Sequence, residues 1–333
     1  MSANHRVAVL GAGSFGTALA HHIALNNIAV RLWGRDQSAL HEISDHGENR
    51  RYLPGISLSD SIEYCSDLND ALRDVTDVLI AVPSQHFNKV VEQIKEHAPS
   101  DCGVLWACKG LESGSGRFLS EVAEERLGDT RRHAVLSGPT FAKEIARQLP
   151  TAIVVASNQP DYALSVSQLF HNDRFRAYSS NDVRGVQLGG ALKNVYAIAA
   201  GISDGLKFGA NARVAVITRG LAELMRLGDS LNVQAETLMG LSGVGDLTLT
   251  CTDDQSRNRR YGLALAQGLS SQQALQKIGQ SVEGVAATEL AAQLALQQAV
   301  SMPIVEQVHR VISGSATPLD AVSALLSRSS KKE

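Results

Sequence analysis

The first half of the chain alternates between short apolar runs and longer segments with apolar residues at helical spacing. Most of the runs are rich in β-branched residues and lack a clean polar alternation, as is typical of strands buried on both faces. Six runs are predicted as strands: RVAVLG (6–11), IAVRLW (28–33), DVLIAVP (77–83), GVLWAC (103–108), HAVLSG (133–138) and TAIVVAS (151–157). Predicted helices between them include Thr17–Asn26, His86–Glu96 and Arg117–Arg126. This alternation predicts an α/β fold with a doubly wound, mostly parallel sheet.

The pattern changes beyond about residue 180. Alanine, leucine and glutamine at helical spacing replace the β-branched runs, as in GVAATELAAQLALQQAV (284–300) and MPIVEQVHRVIS (302–313). We therefore predict an all-helical second half. Because 333 residues are too many for one hydrophobic core, we expect two domains: an α/β domain over 1–180 and a helical domain over 181–333.

Composition and charge exclude several classes of protein. The net charge of −3 gives no general attraction for nucleic acid or an anionic membrane, so an anionic ligand would need a local cluster of Lys and Arg. The four cysteines form no CxxC pair, which predicts reduced thiols and no metal site. RVAVLGAG begins almost directly after Met1, which predicts no signal peptide. The apolar stretch 185–205 carries Lys193 and many glycines, against a membrane-spanning segment. We expect a cytoplasmic protein.

A glycine-rich turn follows the first strand. Gly11, Gly13 and Gly16 form a GxGxxG motif between a strand and a helix. In that position the first glycine allows a tight turn, the second lets a pyrophosphate approach the backbone, and the third allows close packing of helix on strand. The helix N-terminus adds N–H donors and positive dipole. This motif predicts a Rossmann-type, dinucleotide-binding domain.

The end of the second strand bears on the choice of cofactor. An NAD-preferring site places an acidic residue there for the ribose 2′-hydroxyl, but this chain has Gly34 followed by Arg35. A small residue and an arginine suit a 2′-phosphate, which favours NADP(H) and leaves NAD(H) as a second cofactor. The alternative is that Arg35 is a solvated surface residue and Asp36 binds the ribose.

Polar groups follow two further strands. Lys109 in WACKGLE and the segment SGPTFAKE, with Ser137, Gly138 and Thr140, come at strand ends. In open α/β sheets ligands bind at that edge, so these residues are candidates for binding a polar substrate group. The alternatives are a surface lysine and a plain Gly-Pro turn.

Lys193 is the single charge between Val186 and Ser203. On a helix it shares a stripe with small residues such as Gly190, Ala197 and Gly201. One interpretation is that these residues leave a groove in which the lysine passes a proton to a substrate. The other is close helix packing, with Lys193 paired to an acid. Spacing alone does not separate the two.

The segment GLSGVGDLTLTCTDDQSRNRRYG carries a carboxylate and a basic cluster. The glycines around Asp246 predict a tight turn that presents its carboxylate. Ser256, Arg257 and Asn258, with Arg259 and Arg260, suit a monophosphate at a helix start, because arginine forks match phosphate oxygens. The alternative is a solvated helix face, which we expect for at least one of the arginines.

These segments together resemble the bacterial NAD(P)-dependent glycerol-3-phosphate dehydrogenase family. The matching motifs run in order along nearly the whole chain: GAGSFGTALA, LWGRD, YLPG, VPSQ, CKGLE, SGPTFAKE, QLGGALKNVYAI, GANARVAVITRG, GVGDLTLTC, SRNRRYG and VEG. The resemblance implies a Rossmann domain followed by a helical domain. It also implies reversible reduction of dihydroxyacetone phosphate, a small-molecule phosphate substrate, to sn-glycerol 3-phosphate for phospholipid synthesis.

The resemblance assigns roles to individual residues. Lys193 matches the proton donor and acceptor, Lys109 matches a residue beside the carbonyl and the nicotinamide, and Asp246 is expected to orient or stabilise the lysine ammonium. Substrate contacts are implied for Gly138, Thr140, Asp246, Ser256, Arg257 and Asn258. Cofactor contacts are implied for Ser14, Phe15, Arg35, Lys109, Ala142, Arg257, Ser281 and Glu283.

Two other functions are alternatives to this one. The first is a related two-domain reductase of a small keto or hydroxy acid, which would bind a carboxylate in place of a phosphate. The second is a nucleotide-binding regulator without activity, and the presence of Lys109, Lys193, Asp246 and Arg257 argues against it. The alanine-rich helical half is suited to burying a partner face, so a homodimer is compatible with the sequence.

Overall fold

The computed structural model describes residues 5–128 and 130–328. The chain divides into two compact units, with the main boundary between Val186 and Gln187. The first unit comprises Met1–Glu112 and Arg117–Val186, and the second comprises Ser113–Gly116 and Gln187–Glu333.

An eight-stranded sheet forms the centre of the first unit. Its strands are β1 (Arg6–Leu10), β2 (Ala29–Trp33), β3 (Ile62–Cys65), β4 (Asp77–Ile80), β5 (Gly103–Trp106), β6 (His133–Ser137), β7 (Thr151–Ala156) and β8 (Phe175–Ser180). Their order is β3-β2-β1-β4-β5-β6-β7-β8, and every neighbouring pair is parallel except β6 and β7. The predicted mostly parallel, doubly wound sheet is confirmed.

Helices pack against this sheet. They are α1 (Ser14–Leu25), α2 (Gln37–His46), α3 (Leu68–Leu72), α4 (Phe87–His97), α5 (Leu119–Leu127), α6 (Ala142–Ala146) and α7 (Pro160–Phe170), with a 3₁₀ turn over Ser84–His86. Val7 and Val9 of β1 lie in one apolar cluster, and Ala8 and Leu10 lie in another. The central strands are therefore buried on both faces, which explains their continuous apolar sequences.

The two edge strands are absent from the sequence prediction, whereas all six predicted strands are present with small shifts of their ends. Among the described strands, β3 pairs only with β2, and β8 pairs only with β7. Their sequences, IEYC and FRAYSS, mix apolar and polar residues, and several of their side chains are exposed. An edge strand needs less apolar surface than a central one, and its sequence signal is weaker for that reason.

All regular secondary structure described in the second unit is helical, as predicted. The helices are α8 (Val183–Gly205), which crosses the boundary between the units, α9 (Gly209–Ser230), α10 (Ala235–Leu238), α11 (Asp246–Thr252), α12 (Arg257–Ala266), α13 (Ser271–Ile278), α14 (Glu283–Gln297), α15 (Pro303–Ile312) and α16 (Pro318–Leu326). A π-helical turn over Leu241–Gly245 precedes α11. Of all helices described, none combines the length and apolarity needed to cross a membrane.

Helices α8 and α12 pack with their backbones in contact. A Cβ atom added at Gly201 would lie 2.0 Å from the Arg259 carbonyl oxygen, and one added at Gly262 would lie 2.1 Å from that of Ile198. No side chain fits at either position. The groove considered along the Lys193 stripe is therefore filled at Gly201 by α12, and the small residue there serves helix packing.

Candidate active site

The turn between β1 and α1 has the geometry of a pyrophosphate site. Gly11 has a φ of +127°, which favours glycine, and a Cβ at Gly16 would lie 1.9 Å from the Gly11 carbonyl oxygen. By contrast, no described atom lies within 4 Å of a Cβ built at Gly13. The outer glycines are therefore fixed by packing, whereas Gly13 leaves open space beside the start of the helix.

The first turn of α1 is suited to bind an anion. Gly13 is its N-cap, and within the described chain no side chain caps it. Its first residues are Ser14 and Phe15, so their N–H groups and the helix dipole are available to a phosphate. Ala142, another predicted cofactor residue, is the first residue of α6. The residues of this turn fit a dinucleotide cofactor.

The residues after β2 differ in their surroundings. A Cβ at Gly34 would lie 3.0 Å from the Cβ of Ala12, so a larger side chain is disfavoured there. Asp36 is the N-cap of α2, and its Oδ1 accepts a hydrogen bond of 3.1 Å from the Ala39 N–H. Arg35 is exposed. The Asp36 carboxylate already has a structural role, which favours Arg35 as the residue that contacts the cofactor.

Lys109 contacts three of the predicted residues. Its Nζ donates to the Gly138 carbonyl oxygen at 3.0 Å and to Thr140 Oγ1 at 3.4 Å. It also lies 5.8 Å from the centre of the Phe15 ring, within the range of a cation–π interaction. The carboxyl ends of β1, β5 and β6 are thus linked by one cation, as expected for a ligand-binding edge of a parallel sheet.

Lys193 and Asp246 form a buried ion pair in the second unit. The Lys193 Nζ donates a hydrogen bond to Asp246 Oδ1. The side chains are only 7% and 0% exposed, so each charge needs the other to offset its desolvation. Thr250 Oγ1 donates to the Asp246 carbonyl oxygen at 2.6 Å and lies 3.4 Å from Asp246 Oδ1. The Lys193 ammonium is therefore paired with the Asp246 carboxylate, which is in turn contacted by Thr250.

The π-helical turn places Asp246. The sequence predicts a tight turn that presents this carboxylate, whereas the structure has the π turn followed directly by α11, of which Asp246 is the first residue. A Cβ at Gly189 of α8 would lie 2.3 Å from the Ser242 carbonyl oxygen. The π turn therefore lies directly on α8, one turn before Lys193. Irregular helical turns of this kind are frequent at functional sites.

The start of α12 carries the predicted phosphate-binding residues. Ser256 is the N-cap, and its Oγ accepts from the Arg259 N–H at 3.2 Å. Arg257, the first residue of the helix, is half-buried. The buried Asn258 donates to Asn194 Oδ1 at 2.8 Å and accepts from the Gly284 N–H at 2.9 Å. Asn258 thus joins three helices.

The other two arginines of the cluster differ sharply. Arg260 is exposed, as expected for at least one of them, whereas Arg259 is buried and paired with Asp204 and Asp254. The remaining predicted cofactor residues lie before and at the start of α14: Ser281 is exposed and Glu283 is half-buried.

Two polar residues of this region are absent from the sequence prediction. Asn194 follows Lys193 and contacts Asn258, and Thr250 supports Asp246. The only signal for Asn194 was an amide next to a lysine in an apolar helix.

Burial raises the pKa of the Cys251 thiol, on α11, to about 12, so this cysteine stays protonated at neutral pH and is no nucleophile.

Comparison with known proteins gives a consistent result. Two sequence profiles match the chain: the NAD-dependent glycerol-3-phosphate dehydrogenase N-terminus over residues 6–163 and its C-terminus over residues 182–323. A glycerol-3-phosphate dehydrogenase [NAD(P)+] from Thioalkalivibrio sulfidiphilus is 54% identical over 327 residues, 98% of each chain. One from Pasteurella multocida is 50% identical over 328 residues, 98% of this chain and 97% of the relative.

A solved structure is similar over the same length. The crystal structure of glycerol-3-phosphate dehydrogenase from Coxiella burnetii matches with a TM-score of 0.94 and 45% identity. The match covers 98% of this chain and 99% of that one. Sequence and fold therefore agree over both units.

Proposed function

Because the chain belongs to the NAD-dependent glycerol-3-phosphate dehydrogenase family, we propose that it interconverts dihydroxyacetone phosphate and sn-glycerol 3-phosphate. The observation that carries this proposal is the buried pair of Lys193 and Asp246, because reduction of a ketone needs a proton source as well as a hydride. The product would supply phospholipid synthesis.

The first domain, residues 1–180, is proposed to bind the cofactor, with NADP(H) favoured and NAD(H) also used. The turn Gly11–Gly16 holds the pyrophosphate, and Arg35 pairs with the 2′-phosphate that distinguishes NADP(H). The other proposed contacts are Lys109, Ala142, Arg257, Ser281 and Glu283. When bound, the reduced nicotinamide supplies the hydride.

The second domain, residues 181–333, is proposed to supply the proton and to bind the substrate. Lys193 donates a proton to the oxygen that was the ketone, and returns to its charged form from solvent. Asp246 keeps the ammonium oriented and stabilises it, and Lys109 stabilises negative charge on the same oxygen. In the reverse direction Lys193 accepts the proton.

The phosphate of the substrate is proposed to bind at the start of α12. Ser256, Arg257 and Asn258 offer a hydroxyl, a guanidinium and an amide on adjacent residues, and the helix dipole adds positive potential. Gly138 and Thr140 contact the remainder of the substrate. Binding energy from a phosphate that does not react can be used to orient the carbonyl.

The decisive experiment measures the loss of NADPH absorbance on addition of dihydroxyacetone phosphate. We expect turnover by the native chain, and a loss on the order of a hundredfold to ten-thousandfold in Lys193→Ala with NADPH binding retained. Near-normal rates in that variant would exclude the proton role. Small keto acids are the parallel substrates: preference for them would support the alternative, a carboxylate-specific reductase.

The cellular setting and the assembly state are also proposals. All four cysteines are buried thiols, which suits a reducing compartment, and we propose that the protein acts in the cytoplasm. We propose a homodimer because the helical unit exposes large apolar side chains, among them Phe208, Val214, Leu319 and Leu326. Light scattering at two protein concentrations measures the mass directly, and a monomer at both would contradict the dimer.

A further inference from the structure

We propose that Arg259 is a positioning residue: its ion pair with Asp204 holds the first turn of α12 on α8 and so sets the phosphate-binding residues in a fixed place on the helix that carries Lys193. This inference rests on the proposed function. It assigns to Arg259 a role different from that of Arg257 and Arg260, which are less buried than Arg259.

All three nitrogens of the Arg259 guanidinium donate to carboxylates. Its Nε and Nη2 donate to Asp204 Oδ2 at 3.1 Å and 2.6 Å, and its Nη1 donates to Asp254 Oδ1. The side chains of Arg259 and Asp204 are 10% and 9% exposed. With donors on each of its three nitrogens bound in this way, Arg259 is not available to bind a phosphate, although its sequence position suggests that it could.

The backbone of Arg259 is held as well as its side chain. Its N–H donates to Ser256 Oγ, and its carbonyl oxygen lies where a Cβ of Gly201 would be. One residue therefore supports the N-cap of α12, contacts the backbone of α8 and forms a buried ion pair with α8. Arg257 and Asn258, which are proposed to bind the phosphate, lie between Ser256 and Arg259 in the same turn.

Helix α8 connects this anchor to the proton donor. Lys193 and Asp204 lie three helical turns apart on α8, roughly 16 Å along its axis. A helix is stiff over that length, so a clamp at Asp204 fixes where the start of α12 lies relative to Lys193. Use of phosphate binding energy for the reaction requires such a fixed relation, because small displacements of bound groups cost large factors in rate.

A second arginine on Asp204 offers a matched control. Arg213 Nη1 donates to both carboxylate oxygens of Asp204 at 3.1 Å, but its side chain is 29% exposed and belongs to α9. Arg213 shares the Asp204 carboxylate with Arg259, but its own ion pair joins α9 to α8. Removing Arg213 leaves the clamp between α8 and α12 in place.

The test compares Arg259→Gln with Arg213→Gln in the full-length protein, using dihydroxyacetone phosphate and dihydroxyacetone as substrates. For Arg259→Gln we expect kcat/KM with the phosphorylated substrate to fall on the order of tenfold to a hundredfold, the range expected for loss of hydrogen bonds between charged groups. The kcat/KM with dihydroxyacetone should stay within about threefold, because this substrate has no phosphate to place. Arg213→Gln should change kcat/KM with either substrate by less than about threefold.

Two further variants guard against simple misfolding. Arg259→Lys keeps the charge but not the fork, and should recover part of the loss with the phosphorylated substrate. The double variant Asp204→Asn with Arg259→Gln removes both buried charges and should fold. Its ratio of kcat/KM for dihydroxyacetone phosphate to kcat/KM for dihydroxyacetone should nevertheless be lower than that of the native protein. Equal losses with both substrates, or no loss in the double variant, would overturn the positioning role.

Failure of this inference is distinguishable from failure of the proposed function. If the native protein does not oxidise NADPH with dihydroxyacetone phosphate, the proposed function itself is wrong. If the native protein does so and Arg259→Gln retains its preference for the phosphorylated substrate, only the positioning role is wrong.

Discussion

At the scale of single residues, the ion pair of Lys193 and Asp246 has two energetic roles. Each charge would be costly to bury alone, and each offsets the desolvation of the other. The same pair keeps an ammonium inside a site from which water is largely removed, where a charge acts more strongly on a forming alkoxide. The stability of the fold and the proposed proton transfer therefore depend on the same ion pair, and a single substitution in it changes both.

A pair of substitutions separates the two roles. In Lys193→Met, Asp246 is left buried without its cation, and the free energy of unfolding should fall by about 3–5 kcal/mol. Adding Asp246→Asn removes the unpaired charge and should recover most of that stability. Turnover should stay absent in both, because neither has the proton donor. Urea denaturation and the NADPH assay measure the two quantities, and a double variant no more stable than Lys193→Met would contradict the argument.

The residue pair Arg35 and Asp36 should separate cofactor preference from helix stability. Arg35→Ala should raise the Kd for NADPH by about tenfold or more, because it removes charge-assisted hydrogen bonds to the 2′-phosphate, and should leave the Kd for NADH nearly unchanged. Asp36→Ala is the control: it should lower stability by about 1 kcal/mol through loss of the α2 cap. Fluorescence titration gives both constants, and equal losses for NADPH and NADH in Arg35→Ala would exclude the 2′-phosphate role.

At the scale of elements, the strands that could be predicted are those whose own sequence has a clear apolar pattern. The central strands β1, β4 and β5 are buried on both faces, and their apolar runs were sufficient to find them. The edge strands β3 and β8, and the reversal of β7 against β6, depend on which strands pair. Pairing is decided by contacts distant in sequence, which a pattern of apolar residues does not encode.

The same distinction applies to the site. The Gly11–Gly16 turn is a local structure, and its sequence was enough to predict it. By contrast, Lys193 lies 53 residues from Asp246, and Asp204 lies 55 residues from Arg259. The basic cluster was visible in the sequence, but the carboxylates that bury Arg259 and the amide that engages Asn258 were not. Residue types could be predicted, and Asp246 was already expected beside Lys193, whereas the partners of Arg259 and Asn258 required the fold.

The β1–α1 turn gives a prediction at this scale, because a side chain is disfavoured at Gly16 by packing and at Gly13 by the proposed cofactor. Gly16→Ala places a Cβ against the Gly11 carbonyl oxygen and should destabilise the protein by about 1–3 kcal/mol or more. Gly13→Ala places its Cβ in open space, so the melting temperature should fall much less than in Gly16→Ala, while NADPH binding is lost. Calorimetry and titration measure both, and normal NADPH binding by Gly13→Ala would contradict a pyrophosphate site there.

At the scale of the whole molecule, charge is distributed by local need. The net charge is only −3, yet charged side chains are buried in the interior, among them Lys193 with Asp246, Arg259 with Asp204, and Glu223. Within each of the first two pairs, the positive and the negative charge neutralise each other. Glu223 instead accepts hydrogen bonds from the N–H groups of Ile304 and Val305, at 2.6 and 3.3 Å, and so caps α15 from α9. Its carboxyl is buried, and this makes the stability of the fold sensitive to pH.

Burial raises the pKa of Glu223 from 4.5 to about 7, and this outweighs the lowering by the two backbone hydrogen bonds and by Arg226 and Arg328. Between these values the folded chain binds the proton more tightly than the unfolded chain does. The contribution of Glu223 to stability is therefore fully present below about pH 4.5 and is lost as the pH rises through about 7, by about 3 kcal/mol at about 1.4 kcal/mol per pH unit. This direction is opposite to that of an ion-paired carboxylate.

Glu223→Gln should therefore stabilise the protein at about pH 8 relative to about pH 5, because the amide oxygen still accepts from the Ile304 N–H, the shorter of the two hydrogen bonds, but carries no charge. The gain at the higher pH should approach about 3 kcal/mol, with little change at the lower pH. Urea denaturation at both pH values measures the difference. The control is Glu236→Gln, an exposed residue of the same unit, which should leave that difference as it is in the native protein. A Glu223→Gln variant with the same pH dependence as the native protein would show that Glu223 is already ionised in the folded state and that α15 is capped by a carboxylate at neutral pH.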